Sequence, residues 1–425
     1  MARDTIFALS SGRPPAAIAV IRISGPLAHE AGQRLCGGLP GAREAAVRSI
    51  RDPDSEAQLD DALVLRFDAP ASATGEDVVE LHCHGSRAVV DAVLAALGRI
   101  AGLRVAGPGE FTRRAFENGR IDLTEAEGLA DLLEAETEAQ RRAALRVAEG
   151  GLRRQIESWR ARVVEISAHA ELAIDYVEED AGEGASRISA EAGVLADELA
   201  QWLARPRAER LKDGIRVVAA GPPNAGKSSL INAIAGVEKI IVSEVAGTTR
   251  DVIEVPLALA GRPFLFIDTA GLRDSGDKIE AIGVALAERE AAVADILLWL
   301  GEAQAAPDHP RLVRVQSKAD LGAPRAPRAV AVSAMTGEGL DELLEHIVAL
   351  SGDLLPAEDM IALNRRQSEA LGDAQSALAE TASTDDPVLQ AEGLRLARGA
   401  FDRLTGRAGV EDLLNALFSR FCLGK

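Results

Sequence analysis

Residues 221–228 read GPPNAGKS, and they indicate the fold of the region around them. It matches the phosphate-binding pattern G-x-x-x-x-G-K-[ST], which is specific where it connects a strand to a helix. Here the β-rich run Ile215–Ala220 precedes it, and a helical run over residues 229–235 follows it. Glycines let backbone N–H groups approach phosphates, and a helix N-terminus attracts anions, so the stretch predicts a phosphate loop. In such a loop Lys227 reaches the β- and γ-phosphates, and the Ser228 hydroxyl binds Mg²⁺.

A second phosphate motif, DTAG at residues 268–271, ends the apolar run at residues 264–267. Asp268 suits Mg²⁺, usually through water, and the Gly271 N–H can contact a γ-phosphate. Between the two motifs lies GTTRD, in which Thr249 is the candidate Mg²⁺ ligand that is ordered only with a triphosphate bound. A Thr-Thr pair in a loop usually has no function, but its position between two phosphate motifs favours a switch.

The identity of the base is predicted from SKAD at residues 317–320, directly after a strand-like run. The Asp320 carboxylate can accept hydrogen bonds from guanine N1–H and N2–H₂ together, whereas adenine offers no such pair of donors. Ser333 and Ala334 follow another predicted strand, residues 328–332, and a backbone N–H there would cover guanine O6. The four motifs in this order predict GTP, not ATP.

Ser317 departs from the usual pattern, because G proteins have Asn at this position. A serine lacks the carboxamide that contacts the base and braces the phosphate loop. We therefore expect weaker nucleotide binding, with Asp320 still selecting guanine.

The residue after DTAG, Leu272, cannot orient a water molecule as the Gln of small GTPases does. Another group must position the water, and another cation can replace an arginine finger. The side-chain oxygen of Asn224 could coordinate a monovalent ion beside the phosphates, with backbone carbonyls near Ser243 and Val245. From chemistry alone, an Asn224 without a role is an equally good interpretation.

Composition excludes several classes of protein. Of the 425 residues, 47 are Lys or Arg and 66 are Asp or Glu, and the net charge of −19 argues against nonspecific coating of nucleic acid. Most of the excess acid lies after residue 120. Three cysteines are too few for a disulfide framework, which favours a reducing cytoplasm. No apolar run is long enough for a membrane span, and we expect neither a signal peptide nor a membrane partner.

The pattern of apolar residues changes along the chain and predicts a multidomain protein of α/β and α type. Short β-like runs and a helix predict an N-terminal α+β domain over residues 1–120. Leu152, Ile156, Trp159, Val163 and Ile166 recur at helical spacing and predict a long helix. The domains expected are the N-terminal domain, a helical domain in two parts (121–212 and 353–425) and an inserted, doubly wound α/β G domain (213–352).

From end to end the chain resembles the MnmE (TrmE) family of tRNA-modification GTPases. The resemblance lies in TGEDVVELHCH at residues 74–84, PGEFTRRAFENGRIDL at 108–123, PNAGKSSL at 223–230, DTAGLR at 268–273 and the C-terminal FCLGK. It implies a Ras-like G domain, a discontinuous helical domain and an N-terminal domain that binds folate and forms a homodimer. It also implies a complex with the flavoprotein MnmG that adds a (carboxymethyl)aminomethyl group to C5 of the wobble uridine of tRNA. The carbon would come from 5,10-methylene- or 5-formyl-tetrahydrofolate.

The resemblance also assigns roles in the G domain. K⁺, which stimulates hydrolysis as the G domains dimerise, would be held by Asn224, Ser243, Val245 and Thr248. The catalytic residues would be Lys227, Thr249 and the water-orienting Glu280, although a charged residue at the start of a helix is otherwise common. The residues expected to contact GTP are Asn224, Ala225, Gly226, Lys227, Ser228, Ser229, Ser243, Glu244, Val245, Ala246, Gly247, Thr248, Thr249, Asp268, Thr269, Ala270, Gly271, Ser317, Lys318, Asp320, Ser333 and Ala334.

The folate residues implied are Arg22, Glu80, Arg120 and Lys425, of which Arg120 replaces the family's Lys. Taken singly, each is more often a surface charge. His82 and His84 would share one face of a strand, but a metal site is disfavoured because no fourth ligand is evident. Cys422 is placed near the folate site without an assigned role.

Two other functions compete with this interpretation. A GTP-dependent ribosome assembly factor would need a basic RNA-binding module, which the acidic helices oppose. A helical scaffold with a GTPase that switches only dimer contacts would not bind folate.

Overall fold

The computed structural model describes residues 4–175, 181–237, 239–240, 253–269, 289–322, 324–357, 360–408, 411–419, 421 and 424. The chain divides into two compact units, Met1–Ala130 with Asp402–Lys425 and Asp131–Phe401. The predicted domain bounds remain a prediction, since a division by packing need not coincide with domain bounds.

A largely antiparallel sheet organises the first unit. Its strands are β1 (Thr5–Leu9), β2 (Ile18–Ser24), β3 (Ala45–Arg51), β4 (Gln58–Phe67), β5 (Val78–His84) and β6 (Leu103–Val105). Within the described residues these six strands pair in the order β3-β4-β5-β2-β1-β6. Only the β1–β6 pair is parallel among them.

Alternation along these strands gives the sheet two different faces. One face is apolar and packs against α1 (Ala28–Cys36) and α2 (Arg87–Gly98), with Ile21, Ile23 and Leu81 in the core. On the other face Ile6 and Ala8 pack against Phe111 of α3 (Glu110–Glu117). The polar residues of β2 and β5 that lie between core positions therefore share this second face. The chain continues into α4 (Leu123–Glu134).

The second unit begins with helices α5 (Glu138–Ala148), α6 (Gly151–Asp175), α7 (Ala181–Leu203) and α8 (Glu209–Asp213). The long helix predicted from apolar spacing is confirmed as α6, and all five residues of that stripe are buried. Within this core Trp159 makes an edge-on contact with Trp202, at 5.1 Å between ring centroids, and stacks on Phe401 at 6.1 Å. Aromatic pairs at these separations add to the stabilisation from burial.

The doubly wound α/β sheet predicted from the phosphate loop is confirmed. Its elements are β7 (Ile215–Ala220), α9 (Lys227–Val237), β8 (Lys239–Ile240), β9 (Ile253–Leu259), β10 (Arg262–Asp268), β11 (Ile296–Trp299), β12 (Leu312–Gln316), β13 (Val330–Ala331) and α10 (Leu340–Leu350). In the described part of the chain seven strands follow the order β13-β12-β11-β7-β10-β9-β8. The strands from β13 to β10 in this order are mutually parallel. Strand β9 is antiparallel to β10, and β8 is antiparallel to β9.

The last parallel strand is shorter than predicted. The sequence pattern predicts a strand over residues 328–332, whereas β13 covers only Val330–Ala331. Arg328 has a φ of 57°. Because a left-handed backbone cannot continue an extended strand, this residue belongs to the preceding turn.

After the sheet the chain returns to helix, in α11 (Arg365–Ala382) and α12 (Pro387–Thr405). The buried side chain of Gln390 ties them to α7, which precedes the sheet in sequence. Its Nε2, which carries two N–H donors, lies within hydrogen-bond distance of the carbonyl of Ala185 at 3.0 Å, Ser189 Oγ at 2.9 Å and the carbonyl of Thr384 at 2.7 Å. The helical domain is therefore discontinuous in sequence, with the α/β sheet inserted in it.

The last helix, α13 (Glu411–Ser419), belongs to the first unit. Leu414 and Leu417 of this helix are buried, and so is Phe421, which follows it. They pack in one cluster with Leu123 and Ala126 of α4.

We expect Gln390→Ala to destabilise the helical domain by about 2 kcal/mol, because it removes the hydrogen bonds that a buried side chain makes to Ala185, Ser189 and Thr384. Chemical denaturation followed by circular dichroism should show an earlier transition. The matched control is Leu389→Ala, at an adjacent position that is 59% exposed, which should change the transition little. An unchanged transition for Gln390→Ala would mean that this contact does not join the two helical segments.

Candidate functional site

The parallel strands place the predicted motifs at one edge of the sheet. In the register of β7 with β10, Ala219 pairs with Asp268, and in that of β7 with β11, Ala220 pairs with Trp299. The phosphate loop begins directly after β7. Because ligands of open α/β sheets bind outside the carboxyl ends of the strands, this edge is the expected position of a nucleotide site.

The phosphate loop is a tight turn that encloses the Lys227 side chain. Gly221 has a φ of 147°, and a Cβ there would lie 3.1 Å from the carbonyl carbon of Leu300. The Lys227 side chain is buried, and its Nζ donates to the carbonyls of Gly221 and Pro222, both at 3.0 Å. The ammonium group is therefore held inside the loop, where a phosphate would be bound.

The DTAG motif begins in the sheet itself. Asp268 ends β10 and is 2% exposed, so its carboxylate lies at the sheet edge and not on the open surface. The Thr269 hydroxyl donates to the carbonyl of Ala219 at 2.8 Å. This bond fixes the start of the motif to the strand that leads into the phosphate loop.

Ser317 and Lys318 connect the base-recognition loop to the phosphate loop. The Ser317 hydroxyl donates to the carbonyl of Ala225 at 2.6 Å, and Lys318 Nζ donates to the carbonyl of Asn224 at 3.3 Å. The expectation that a serine would leave the phosphate loop without a brace is therefore wrong. The shorter side chain still reaches the loop because the SKAD turn lies against it, with Ser317 Cβ 3.5 Å from a Cβ built at Gly226.

The residues predicted to surround the base lie in two loops that are joined to each other. The Ala319 N–H donates to the carbonyl of Val332 at 3.1 Å, which holds Asp320 beside the loop of Ser333 and Ala334. Ser333 Oγ accepts from the N–H groups of Met335 and Thr336 at 3.3 and 3.2 Å. Asp320 itself is exposed. Its recognition of guanine remains a prediction.

A cavity of about 1090 Å³ adjoins the phosphate loop. Its lining includes Gly221, Pro222, Thr269, Leu297 and Trp299. Among the described residues that line it, none belongs to the base loops around 317–320 and 333–334. The described lining thus touches the start of the phosphate loop and does not include the predicted base loops.

Several predicted residues lie outside the described part of the chain. They are Ser243, Glu244, Val245, Ala246, Gly247, Thr248, Thr249, Ala270, Gly271, Leu272, Glu280, Cys422 and Lys425. Ser228 and Ser229 lie in the first turn of α9 beside Lys227. The assignments of Mg²⁺ to Ser228 and Thr249, and of K⁺ to Asn224, Ser243, Val245 and Thr248, remain predictions.

A cluster of polar side chains lies on the second face of the first unit's sheet, the open face, which packs only partly, against Phe111. Arg22 and Glu80 are paired in register on β2 and β5, and Arg22 Nε and Nη2 both lie 2.8 Å from Glu80 Oε1. The guanidinium carbon of Arg22 is 5.6 Å from the centroid of the Phe111 ring. His82 Nε2 lies 3.3 Å from the other carboxylate oxygen of Glu80.

Of the remaining predicted folate residues, Arg120 is described directly and Lys425 only through its neighbour Gly424. Arg120 is exposed, and the stem of its side chain lies against Gly75, with Cγ 3.1 Å from a Cβ built there. Gly424, next to Lys425, has a φ of 96°, and a Cβ there would lie 1.9 Å from the carbonyl oxygen of Leu9. Gly424 is thus packed against the end of β1, whose residue Ala8 is paired with Arg22.

The side chains of His82, Cys83 and His84 do not point toward a common position. His82 contacts Glu80, whereas His84 Nδ1 contacts Asp60 Oδ1 at 2.7 Å. Cys83 lies on the buried face, and burial, with Asp60 and Cys36 nearby, raises the pKa of its thiol to about 12. Because Cys83 lies on the face opposite His82 and His84, the three side chains cannot meet at one ion.

The sequence analysis gave no role to Phe111 or Gly424 and did not connect His82 with Glu80. The contact between His82 and Glu80 could have been predicted from the alternation of strand residues, because residues two positions apart in a strand lie on the same face. Nothing in the sequence indicates that Phe111 or the C-terminus lies against β1 and β2, since these contacts depend on the tertiary fold.

The site combines three features: a phosphate loop after the first strand of a parallel sheet, a buried Asp on the adjacent strand, and an S-K-x-D loop bonded to the phosphate loop. Together they define a P-loop protein with a G domain. Residues 5–120 match the family described as the N-terminus of the GTP-binding protein TrmE, and residues 123–422 match the MnmE helical domain. The chain is 53% identical to the tRNA modification GTPase MnmE of Erythrobacter litoralis over 99% of this chain and 100% of that one. It is 54% identical to MnmE of Rhizorhabdus wittichii over 100% of this chain and 97% of the other. The chain belongs to the MnmE family of tRNA modification GTPases.

Among solved structures, Era of Aquifex aeolicus bound to GDP and AlF₄⁻ is 26% identical, over 38% of this chain and 66% of that chain, with a TM-score of 0.26. Among the described helices of this chain, none has the length and apolar character needed to cross a membrane.

We expect Ser317→Ala to weaken the binding of GDP and of xanthosine diphosphate by a similar factor, roughly 5- to 30-fold, because it removes a hydrogen bond to the loop that holds the phosphates. Fluorescence titration with labelled nucleotides measures both affinities.

The comparison variant is Asp320→Asn, which should lower the affinity for the guanine nucleotide relative to the xanthine nucleotide. If Ser317→Ala instead changed the preference for the base, its hydroxyl would act on the base and not on the phosphate loop.

Proposed function

We propose that this protein hydrolyses GTP to GDP and phosphate as one subunit of a complex that modifies tRNA. The observation that carries the proposal is the joined nucleotide site, in which Ser317 and Lys318 bond the base loop to the phosphate loop. Full-length similarity to proteins named tRNA modification GTPase supports the second half of the proposal.

Within this proposal, hydrolysis uses charge placed around the phosphates. The buried ammonium of Lys227 binds the β- and γ-phosphates, and the hydroxyls of Ser228 and Thr249 would hold Mg²⁺. These hard oxygen ligands, beside the buried Asp268, suit a small divalent cation, which when bound neutralises charge on the phosphates. Glu280 orients the water that attacks the γ-phosphate, since Leu272 cannot.

A monovalent cation site is proposed at the same loop. Asn224 has a φ of 59°, and Lys318 Nζ already donates to its carbonyl, so the backbone there is fixed and the exposed side chain is available as an oxygen ligand. With Ser243, Val245 and Thr248 it would hold K⁺, which when bound supplies a positive charge beside the phosphates in the manner of an arginine finger.

The modification proposed is the addition of a (carboxymethyl)aminomethyl group to C5 of the wobble uridine, carried out with the flavoprotein MnmG. A 5,10-methylene- or 5-formyl-tetrahydrofolate would bind at Arg22, Glu80, Arg120 and Lys425. The Arg22–Glu80 pair supports this site, because a carboxylate held at a fixed position can accept the ring N–H donors of a pterin. The packing of Gly424 against Leu9 supports the inclusion of Lys425.

We also propose that the protein is a homodimer. The open face of the first unit's sheet exposes Val47 and Ile18 at 66% and 59%, with Leu63 paired in register with Val47. Exposed apolar side chains grouped on one face are typical of an interaction surface, and a second copy of the chain would cover them.

The complete function is tested by mass spectrometry of tRNA nucleosides from cells that lack this protein. We expect loss of the modified wobble uridine, restored by the wild-type protein and not by Lys227→Ala. Unchanged nucleosides, together with intact GTP hydrolysis, would instead favour a ribosome assembly factor.

We expect Glu280→Ala to leave GTP affinity intact and to lower kcat by roughly 100-fold or more, since it removes the group that orients the attacking water. Release of phosphate under saturating GTP measures kcat. Asp277→Ala, which removes another acid of the same segment, serves as the control and should retain near wild-type kcat. A near-normal kcat for Glu280→Ala would exclude its proposed role.

We expect Gly424→Ala to weaken binding of 5-formyltetrahydrofolate at least severalfold, because the added Cβ meets the carbonyl of Leu9 and must displace the C-terminus. Isothermal titration of the full chain measures the affinity. Gly37→Ala is the matched control, since Gly37 also has a positive φ, 67°, but no atom lies within 4 Å of the added Cβ. Equal affinities for the two variants would argue against a contribution of the C-terminus to the site.

A further inference from the structure

His82 occupies the same sheet face as the proposed folate residues. Val79, Leu81 and Cys83 of β5 are buried against the helices, so the alternate positions Glu80 and His82 point to the opposite face. Their side chains are 16% and 27% exposed, which means that both are partly enclosed by the protein.

The contacts of Glu80 with Arg22 and His82 are unequal. Both Arg22 nitrogens, Nε and Nη2, contact the single oxygen Oε1 at 2.8 Å. The second oxygen, Oε2, faces His82 Nε2 at 3.3 Å. An ionised carboxylate only accepts hydrogen bonds, so the imidazole Nε2 must carry the proton and donate it.

This arrangement differs from the usual geometry of an arginine–carboxylate pair. A guanidinium group favours two parallel N–H···O bonds, one to each carboxylate oxygen. Such a bidentate pair with Arg22 would draw Oε2 of Glu80 into the guanidinium fork. The hydrogen bond from His82 opposes this rotation and keeps Oε2 outside the fork.

We propose that His82 is a positioning residue of the tetrahydrofolate site, which holds the Glu80 carboxylate in the orientation that accepts the N–H donors of the pterin ring. The inference rests on the proposed folate function and adds a residue to that site. Oε2 has two lone pairs, so it can accept from His82 and from the ligand together. Without His82, Arg22 captures both oxygens, and the ligand must break a bidentate ion pair in order to bind.

The test is isothermal titration of the full chain with 5-formyltetrahydrofolate. His82→Leu should lower the affinity roughly tenfold, since one charge-assisted hydrogen bond is lost. His82→Gln retains an N–H donor and should bind within about threefold of the wild type, because the neutral amide replaces the imidazole donor.

His84→Leu is the matched control on the same face of the same strand. His84 contacts Asp60, its side chain is 74% exposed, and its loss should leave the affinity unchanged. Equal affinities for His82→Leu and the wild type would overturn the inference, and so would equal losses for the Leu and Gln variants at position 82. Failure of the wild-type chain to bind folate would instead overturn the proposed folate function itself.

A double-mutant comparison tests the mechanism by which His82 acts. Lys cannot form the two-pronged contact that Arg forms with a carboxylate. In an Arg22→Lys background, His82→Leu should therefore cause a smaller loss of affinity than it does in the wild type, and the two effects should not add. A full tenfold loss in that background would mean that His82 contacts the ligand directly and does not act through Glu80.

Discussion

The parallel pairing of β7 with β10 is the constraint on which the nucleotide site depends. It places the start of the phosphate loop and the buried Asp268 at adjacent strand ends, with Ala219 opposite Asp268. The Thr269 hydroxyl then bonds the DTAG motif back to β7. Residues that are 40 or more positions apart in sequence, such as Lys227 and Asp268, thereby come to one edge of the sheet.

The base loop and the phosphate loop form one structure because two side chains cross between them. Ser317 and Lys318 donate to consecutive carbonyls of the phosphate loop, those of Ala225 and Asn224. A change in the base loop should therefore alter how phosphates are held, even where it makes no contact with them. This explains how a GTPase can tolerate Ser at a position where other G proteins have Asn: the hydrogen bond to the loop is retained by a shorter donor. The bond that an amide would make to the base has no equivalent from a serine hydroxyl.

The first unit uses the two faces of its sheet for different purposes. One face is buried against α1 and α2 and provides the stability of the unit, while the other carries Arg22, Glu80 and His82 between apolar neighbours. Charged side chains on a partly enclosed sheet face are costly unless they are paired. Here they are paired with each other in a way that leaves capacity for further hydrogen bonds on the carboxylate. The C-terminus packs against the adjacent strand through Gly424, so residues from both ends of the chain meet at this unit.

Much of this protein could be predicted from its sequence, where the signal is local. The phosphate loop, the strands β7 and β10, the stripe of α6 and the order of the G-domain motifs all follow from the period of apolar residues and from short motifs whose backbone geometry requires particular residues. Other features appear only in the tertiary structure: the Ser317 hydroxyl reaches Ala225, Gln390 joins helices on both sides of the inserted sheet, the strand predicted from residue 328 begins only after Arg328, Phe111 contacts Arg22, and His82 contacts Glu80. These are contacts between distant segments, which depend on strand register and on the packing of whole elements, and no local pattern of residues encodes them.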